Sequence, residues 1–200
     1  MKDTTPQSEQ LTIITTHTNA DFDAVGSMLA AQKLYPGALV VFPGFHEKNM
    51  KNFFVSTMAY LFNMADYRKI DSSRINRLVL VDTKQPGLIG EVGELLEKPG
   101  LEIHIYDHHP KLPDDIKGDY ELHRSTGANV TLLVEQIREH NLPVTPDEAT
   151  VMCLGLYEDT GGFSYPSTTE SDFLAAAFLR AAGADLTTIS DLIAKEMDPQ

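Results

Sequence analysis

The 200-residue sequence holds a single cysteine, Cys153, so no disulfide can form within the chain, and a reducing compartment such as the cytoplasm is expected. It has no run of about 18 uninterrupted apolar residues, so no transmembrane helix and no membrane partner are expected. The opening MKDTTPQSEQ lacks the apolar centre of a signal peptide; residues 1–10 read as a flexible leader before a domain spanning 11–200. Basic residues are scarce: 16 Lys and Arg against 29 Asp and Glu leave a net charge of −13. A protein that held nucleic acid by surface charge alone would be basic. Any polyanionic partner must therefore be gripped locally, which bound divalent cations would do. Internal repeats, low-complexity tracts and interior linkers are also missing.

What is present alternates. LTIITTH (11–17), ALVVF (38–42), RLVLVD (77–82) and LEIHIYD (101–107) read as strands, with a short fifth at YELH (120–123). Helical spacing marks 24–35, 46–62 and 88–98 between them, then 128–140, 146–159, 170–183 and a last helix within 187–197. Strands alternating with helices predict an α/β fold, a mostly parallel sheet flanked by helices, followed by a helical C-terminal part. Right-handed crossovers then place every strand C-terminus on one edge, outside which ligands bind in such sheets.

That edge collects polar residues. His17, Asp21 and Asp23 follow the first strand in HTNADFDAVGS, Asp82 ends the third, and Asp107, His108 and His109 end the fourth. Asp159 closes a later helix before two glycines. Each has a bland reading. Asp21 or Asp23 suits a helix N-cap, Asp82 a solvated strand end, Asp159 a helix terminus. Adjacent histidines are harder to dismiss, since neither ring helps a turn. Carboxylates with a few imidazoles suit Mn²⁺ or Mg²⁺ better than Zn²⁺. Two such ions about 3.5–4 Å apart can share one carboxylate, activate a water and stabilise both attacking and leaving oxygens at phosphorus. Five clustered carboxylates without cations would repel and raise one another's pKa values. The H-x-x-x-D-x-D spacing lets His17 and Asp21 face one ion while Asp23 turns to the other.

HTNADFDAVGS, VDT, DHH and ED-TGG resemble the four successive motifs of the DHH phosphoesterase superfamily. It includes RecJ-type single-strand exonucleases, oligoribonucleases, family II inorganic pyrophosphatases and exopolyphosphatases. The resemblance implies two ions, Mn²⁺ or Mg²⁺: one held by His17, Asp21 and Asp82, the other by Asp23, a bridging Asp82, His108 and Asp159. It implies that the catalytic His109 faces the substrate phosphate and that Asp107 orients the ligands from behind. The implied activity is hydrolysis of phosphodiester bonds in single-stranded nucleic acid, oligonucleotides or nucleotides. A phosphoanhydride substrate (pyrophosphate or polyphosphate) is the alternative; so is a non-catalytic nucleotide-sensing module of an RNA-processing protein. Ala20 stands where family members often carry Pro. A second, substrate-binding domain found in related branches is missing, which suggests a fragment. The chain is also similar to bacterial proteins that join such a domain to CBS and poly(A) polymerase or tRNA nucleotidyltransferase-like modules.

Smaller features complete the reading. STGANVT (125–131) opens a helix whose N–H groups could receive a phosphate, with Arg124 and Ser125 as substrate contacts; an ordinary cap is the competing view. His104 reads as a satisfied core histidine, Cys153 as packing, and His46, His123 and His140 as solvated. Lys48 and Lys51 could guide a nucleic acid, though a solvated helix face fits as well.

Overall fold

The computed structural model describes residues 10–43 and 59–197, with side chains to residue 193. Residues 1–9 of the expected leader, most of the helix expected over 46–62, His46, Lys48 and Lys51 lie outside these residues. The strands are β1 (Leu11–Thr15), β2 (Leu39–Val40), β3 (Ile75–Val81), β4 (Glu102–Asp107) and β5 (Tyr120–His123). The helices are α1 (Phe22–Leu34), α2 (Asn129–Glu139), α3 (Pro146–Asp159), α4 (Glu170–Ala181) and α5 (Leu186–Met197). All strand pairs are parallel, in the order β2-β1-β3-β4-β5.

Strand alternation sends side chains to two cores. Ile14, Val79 and Val81 face α1, α2 and α3, while Ile13, Leu78, Leu80 and Ile105 face the opposite side. Burial on both faces is why these strands read as almost unbroken apolar runs. α1 is the central helix: every residue from Phe22 to Ala31 is buried. α3 lies so close to it that a Cβ on Gly155 would stand 2.6 Å from the carbonyl oxygen of Phe22. That approach brings the end of α3 to the start of α1.

One expectation is corrected. Residues 88–98 form no α-helix; the segment is two 3-10 stretches, Pro86–Leu88 and Gly90–Glu97. Ile89, Val92 and Leu95 are the buried residues and recur every third position, the period of a 3-10 turn. Gly90, at the start of the second stretch, has φ +55°, outside any right-handed helix. β2 is also shorter than the expected 38–42; at Val41 the N–H donates to the Ile14 carbonyl at 2.9 Å and the carbonyl accepts the Thr15 hydroxyl at 2.8 Å.

The strand order sets the site. From β1 the chain passes to β2 on one side and then to β3 on the other. A sheet with this order opens a crevice at its switch point, beyond the C-terminal ends of β1 and β3. His17 follows β1, and Asp82 follows β3.

Candidate metal centre

His17 and Asp82 meet across that crevice, Nε2 to Oδ2, at 3.4 Å. Asp21 is the N-cap of α1: one oxygen accepts the Ala24 N–H at 2.9 Å, and Oδ2 stands 4.0 Å from His17 Nε2. The bland cap reading therefore describes Asp21 without removing it from the cluster. Asp82 sits in left-handed backbone at φ +58°, a conformation aspartate tolerates. Its N–H donates to the Tyr106 carbonyl at 2.9 Å, tying the end of β3 to β4.

From β4, His108 donates its Nδ1–H to the Thr126 carbonyl at 2.9 Å. That bond occupies Nδ1 and turns Nε2 inward. Nε2 stands 3.5 Å from Asp82 Oδ1 and 3.4 Å from Asp159 Oδ2. Asp159 arrives as the last residue of α3. Asp23, fully buried, completes this side.

Ligand atoms of His17, Asp21 and Asp82 lie within 4.8 Å of one another; so do those of Asp23, His108 and Asp159, and those of Asp82, His108 and His109. Asp82 and His108 each belong to two of these groups. Asp82 Oδ1 and His108 Nε2 are buried and make no hydrogen bond. An orphaned carboxylate oxygen facing an orphaned imidazole nitrogen is what a divalent cation would satisfy, in place of a proton.

The electrostatics describe an arrangement short of positive charge. Burial, then Asp82 and Asp159, holds the Asp23 carboxyl well above the carboxylate range. Burial, then the charges of Asp82 and Asp21, pushes Asp159 up to about 6. Burial disfavours the charged form of His108, but Asp82, Asp23 and the Thr126 carbonyl outweigh it and raise its pKa to about 10. Asp82 is held low: burial opposes this, and the His108 and His17 rings prevail. Without cations, protons on the histidines do the balancing.

Asp107 is completely buried. One oxygen accepts from His109 Nδ1 at 2.8 Å and the other pairs with Lys84. Lys84, which the sequence reading passed over, is 7% exposed at its side chain and also donates to the His109 carbonyl at 2.8 Å. His123, expected to be solvated, reaches that same carbonyl at 2.7 Å. The clue to Lys84 was its place two residues past Asp82, inside a segment otherwise bound for the interior. His104 is satisfied as expected, by Tyr35 and Glu102, and Cys153 is buried.

Arg124 and Ser125 are exposed, and Arg124 pairs with Glu135. The helix start behind them is not open to a phosphate. Asn129 and Val130 donate their N–H groups to Asp23, and Gly127 donates to Asp172 at 2.8 Å. Nor is it an ordinary cap, since the N-cap position is Ala128. A cavity of about 430 Å³ opens over the cluster, with His17, Asp82, Asp159, Lys84, Leu88 and Leu112 among its lining residues. Neither Arg124 nor Ser125 lines it. No helix among the described residues is long and apolar enough to cross a membrane.

Comparison with known proteins gives a consistent picture. An A-adding tRNA nucleotidyltransferase of Geobacter sulfurreducens is 46% identical over 185 residues, 92% of this chain and 21% of that protein. The cyclic-di-AMP phosphodiesterase GdpP of Bacillus subtilis is 32% identical over 125 residues, 60% of this chain and 18% of that protein. The chain thus spans about a fifth of the length of these curated relatives. An exopolyphosphatase-related protein from Bacteroides fragilis shares the fold, with TM-score 0.69, 20% identity, and coverage of 92% of this chain and 55% of that one. The family model described as the DHH family, N-terminal domain, matches residues 11–156, and the chain belongs to that family.

Proposed function

We propose that this chain is a divalent-cation-dependent phosphoesterase that hydrolyses phosphodiester bonds in nucleotides, oligonucleotides or single-stranded nucleic acid. The observation that carries the reading is Asp82, buried, without a hydrogen bond at Oδ1, and common to two potential ligand groups. His17, Asp21 and Asp82 would hold one ion, Mn²⁺ or Mg²⁺; Asp23, Asp82, His108 and Asp159 would hold a second. Such a pair supplies an acidified water and positive charge for the oxygens on phosphorus.

The chain's own residues do the rest. Thr126 occupies Nδ1 of His108, so that Nε2 is the nitrogen that would face an ion. Asp107, anchored by Lys84, holds His109 through Nδ1 and leaves Nε2 to contact the phosphate or to give a proton to the leaving oxygen. His109 is the catalytic residue in this scheme and Asp107 a positioning one.

The similarity to the nucleotidyltransferase supports a second element, that this domain works beside an RNA-modifying module in a longer protein. A substrate screen tests the proposal. With Mn²⁺, the chain is expected to hydrolyse a dinucleotide or a nucleoside phosphodiester in preference to pyrophosphate or polyphosphate. Preference for the anhydrides would move the assignment to a phosphatase; nucleotide binding without turnover would make it a sensor.

A further inference from the structure

The cavity over the cluster has a chemically mixed lining. Part of that lining is the carboxylates and imidazoles just described. The rest includes Leu88, Pro110 and Leu112, together with Lys84, Gln85 and Asp115. Leu88 is 43% and Leu112 53% exposed, so two large apolar side chains face solvent at the mouth of a polar site. Neither is needed there by the core.

The walls that hold them are fixed. The Leu88 carbonyl accepts the Thr18 N–H at 2.8 Å, tying the 3-10 turn to the loop after β1. The Leu112 N–H donates to Asp115 at 2.8 Å. Gln85 donates to the other Asp115 oxygen, and the Ile116 N–H donates to the Lys84 carbonyl at 2.8 Å. Leucines held apart on braced backbone form a slot whose ordering is complete before a ligand arrives.

Charge decides what fits. Among the lining residues Lys84 is the one lysine or arginine, and it is committed to Asp107 and stands 3.9 Å from Asp115. Two carboxylates against one ammonium leave this part of the lining without lysine or arginine charge to spare. A second or third phosphate placed there would meet no counter-charge, whereas a flat, neutral group would bury apolar surface. The volume, about 430 Å³, falls in the range for small-ligand sites, roughly 300–1,000 Å³.

Resting on the phosphoesterase reading, we infer that Leu88, Pro110 and Leu112 form the seat for a nucleoside of the substrate, and that this seat selects nucleoside phosphoesters over other phosphate compounds.

The test compares two phosphodiesters with the same leaving group, thymidine 5′-(p-nitrophenyl phosphate) and methyl p-nitrophenyl phosphate, in Mn²⁺. The full chain is measured against Leu88→Ser/Leu112→Ser, with a melting curve to confirm folding. The wild-type chain should prefer the nucleoside ester. The double variant should lose that preference by about ten-fold or more, through KM rather than kcat, in line with the roughly 10–200-fold that apolar pocket contacts discriminate. An unchanged preference ratio overturns the inference. Turnover of neither ester by the wild-type chain sinks the phosphoesterase reading, and calorimetry then decides the seat. In Mg²⁺, 5′-AMP binding about ten-fold tighter than inorganic phosphate, with the difference lost in the double variant, upholds it; equal binding by the wild-type chain overturns it.

Discussion

The carboxylate of Asp23, in the first turn of α1, accepts the backbone N–H of Asn129 at 2.5 Å, and that of Val130 at 2.9 Å, at the start of α2. A residue of the candidate metal centre thus also caps a helix 106 residues away in the chain. α2 has no cap of its own, since Ala128 offers no side-chain acceptor. Replacing Asp23 by Ala leaves two buried N–H donors unpaired, at about 1–3 kcal/mol each. Asp21→Ala removes an exposed cap, at about 1 kcal/mol. In metal-free buffer, Asp23→Ala should therefore melt several degrees below Asp21→Ala. Equal melting temperatures would deny Asp23 its structural part.

Lys84 and Asp107 form a buried ion pair. Removing one partner of such a pair typically costs about 3–5 kcal/mol, because the other charge is stranded. Lys84→Met should lower the denaturation midpoint accordingly. Lys84→Met/Asp107→Leu should recover much of that loss while leaving His109 without its partner. A double variant no more stable than Lys84→Met would contradict the stranding account.

The helix-strand alternation was readable because parallel strands buried on both faces are continuous apolar runs, and four segment ends carry polar residues that no core would keep. The Lys84–Asp107 pair was not, because it depends on the register that sets Val81 beside Tyr106. Nor was the dual role of Asp23, which needs α2 to begin against α1. The 3-10 segment was misread as α-helix because Ile89, Val92 and Leu95 also fit an i, i+3 helical face. Arg124 looked free beside a helix start, but Glu135 is one helix face away and pairs with it.

The imidazoles make metal-free stability depend on pH. His17, His108 and His109 all have raised folded-state pKa values, to about 10 for His108. A raised histidine stabilises the fold fully below its unfolded value, about 6.5, and the contribution is lost as pH climbs through the folded value. With EDTA, the melting temperature should fall by about 5 °C or more between pH 6.5 and 9. Added Mg²⁺ should raise it by an increasing margin over the same window, since ligands must shed protons to bind a cation. A flat metal-free profile, or a Mg²⁺ shift that shrinks with pH, would contradict this.

The most direct measurement is anomalous diffraction from manganese-soaked crystals of the wild-type chain and of Asp82→Asn, a substitution that keeps a residue tolerant of φ near +58°. Two manganese peaks about 3.5–4 Å apart, flanking Asp82, are expected in the wild type. Loss of at least one is expected in the variant. Two ions bound unchanged in Asp82→Asn, or none between His17, Asp82 and His108 in the wild type, would contradict the account.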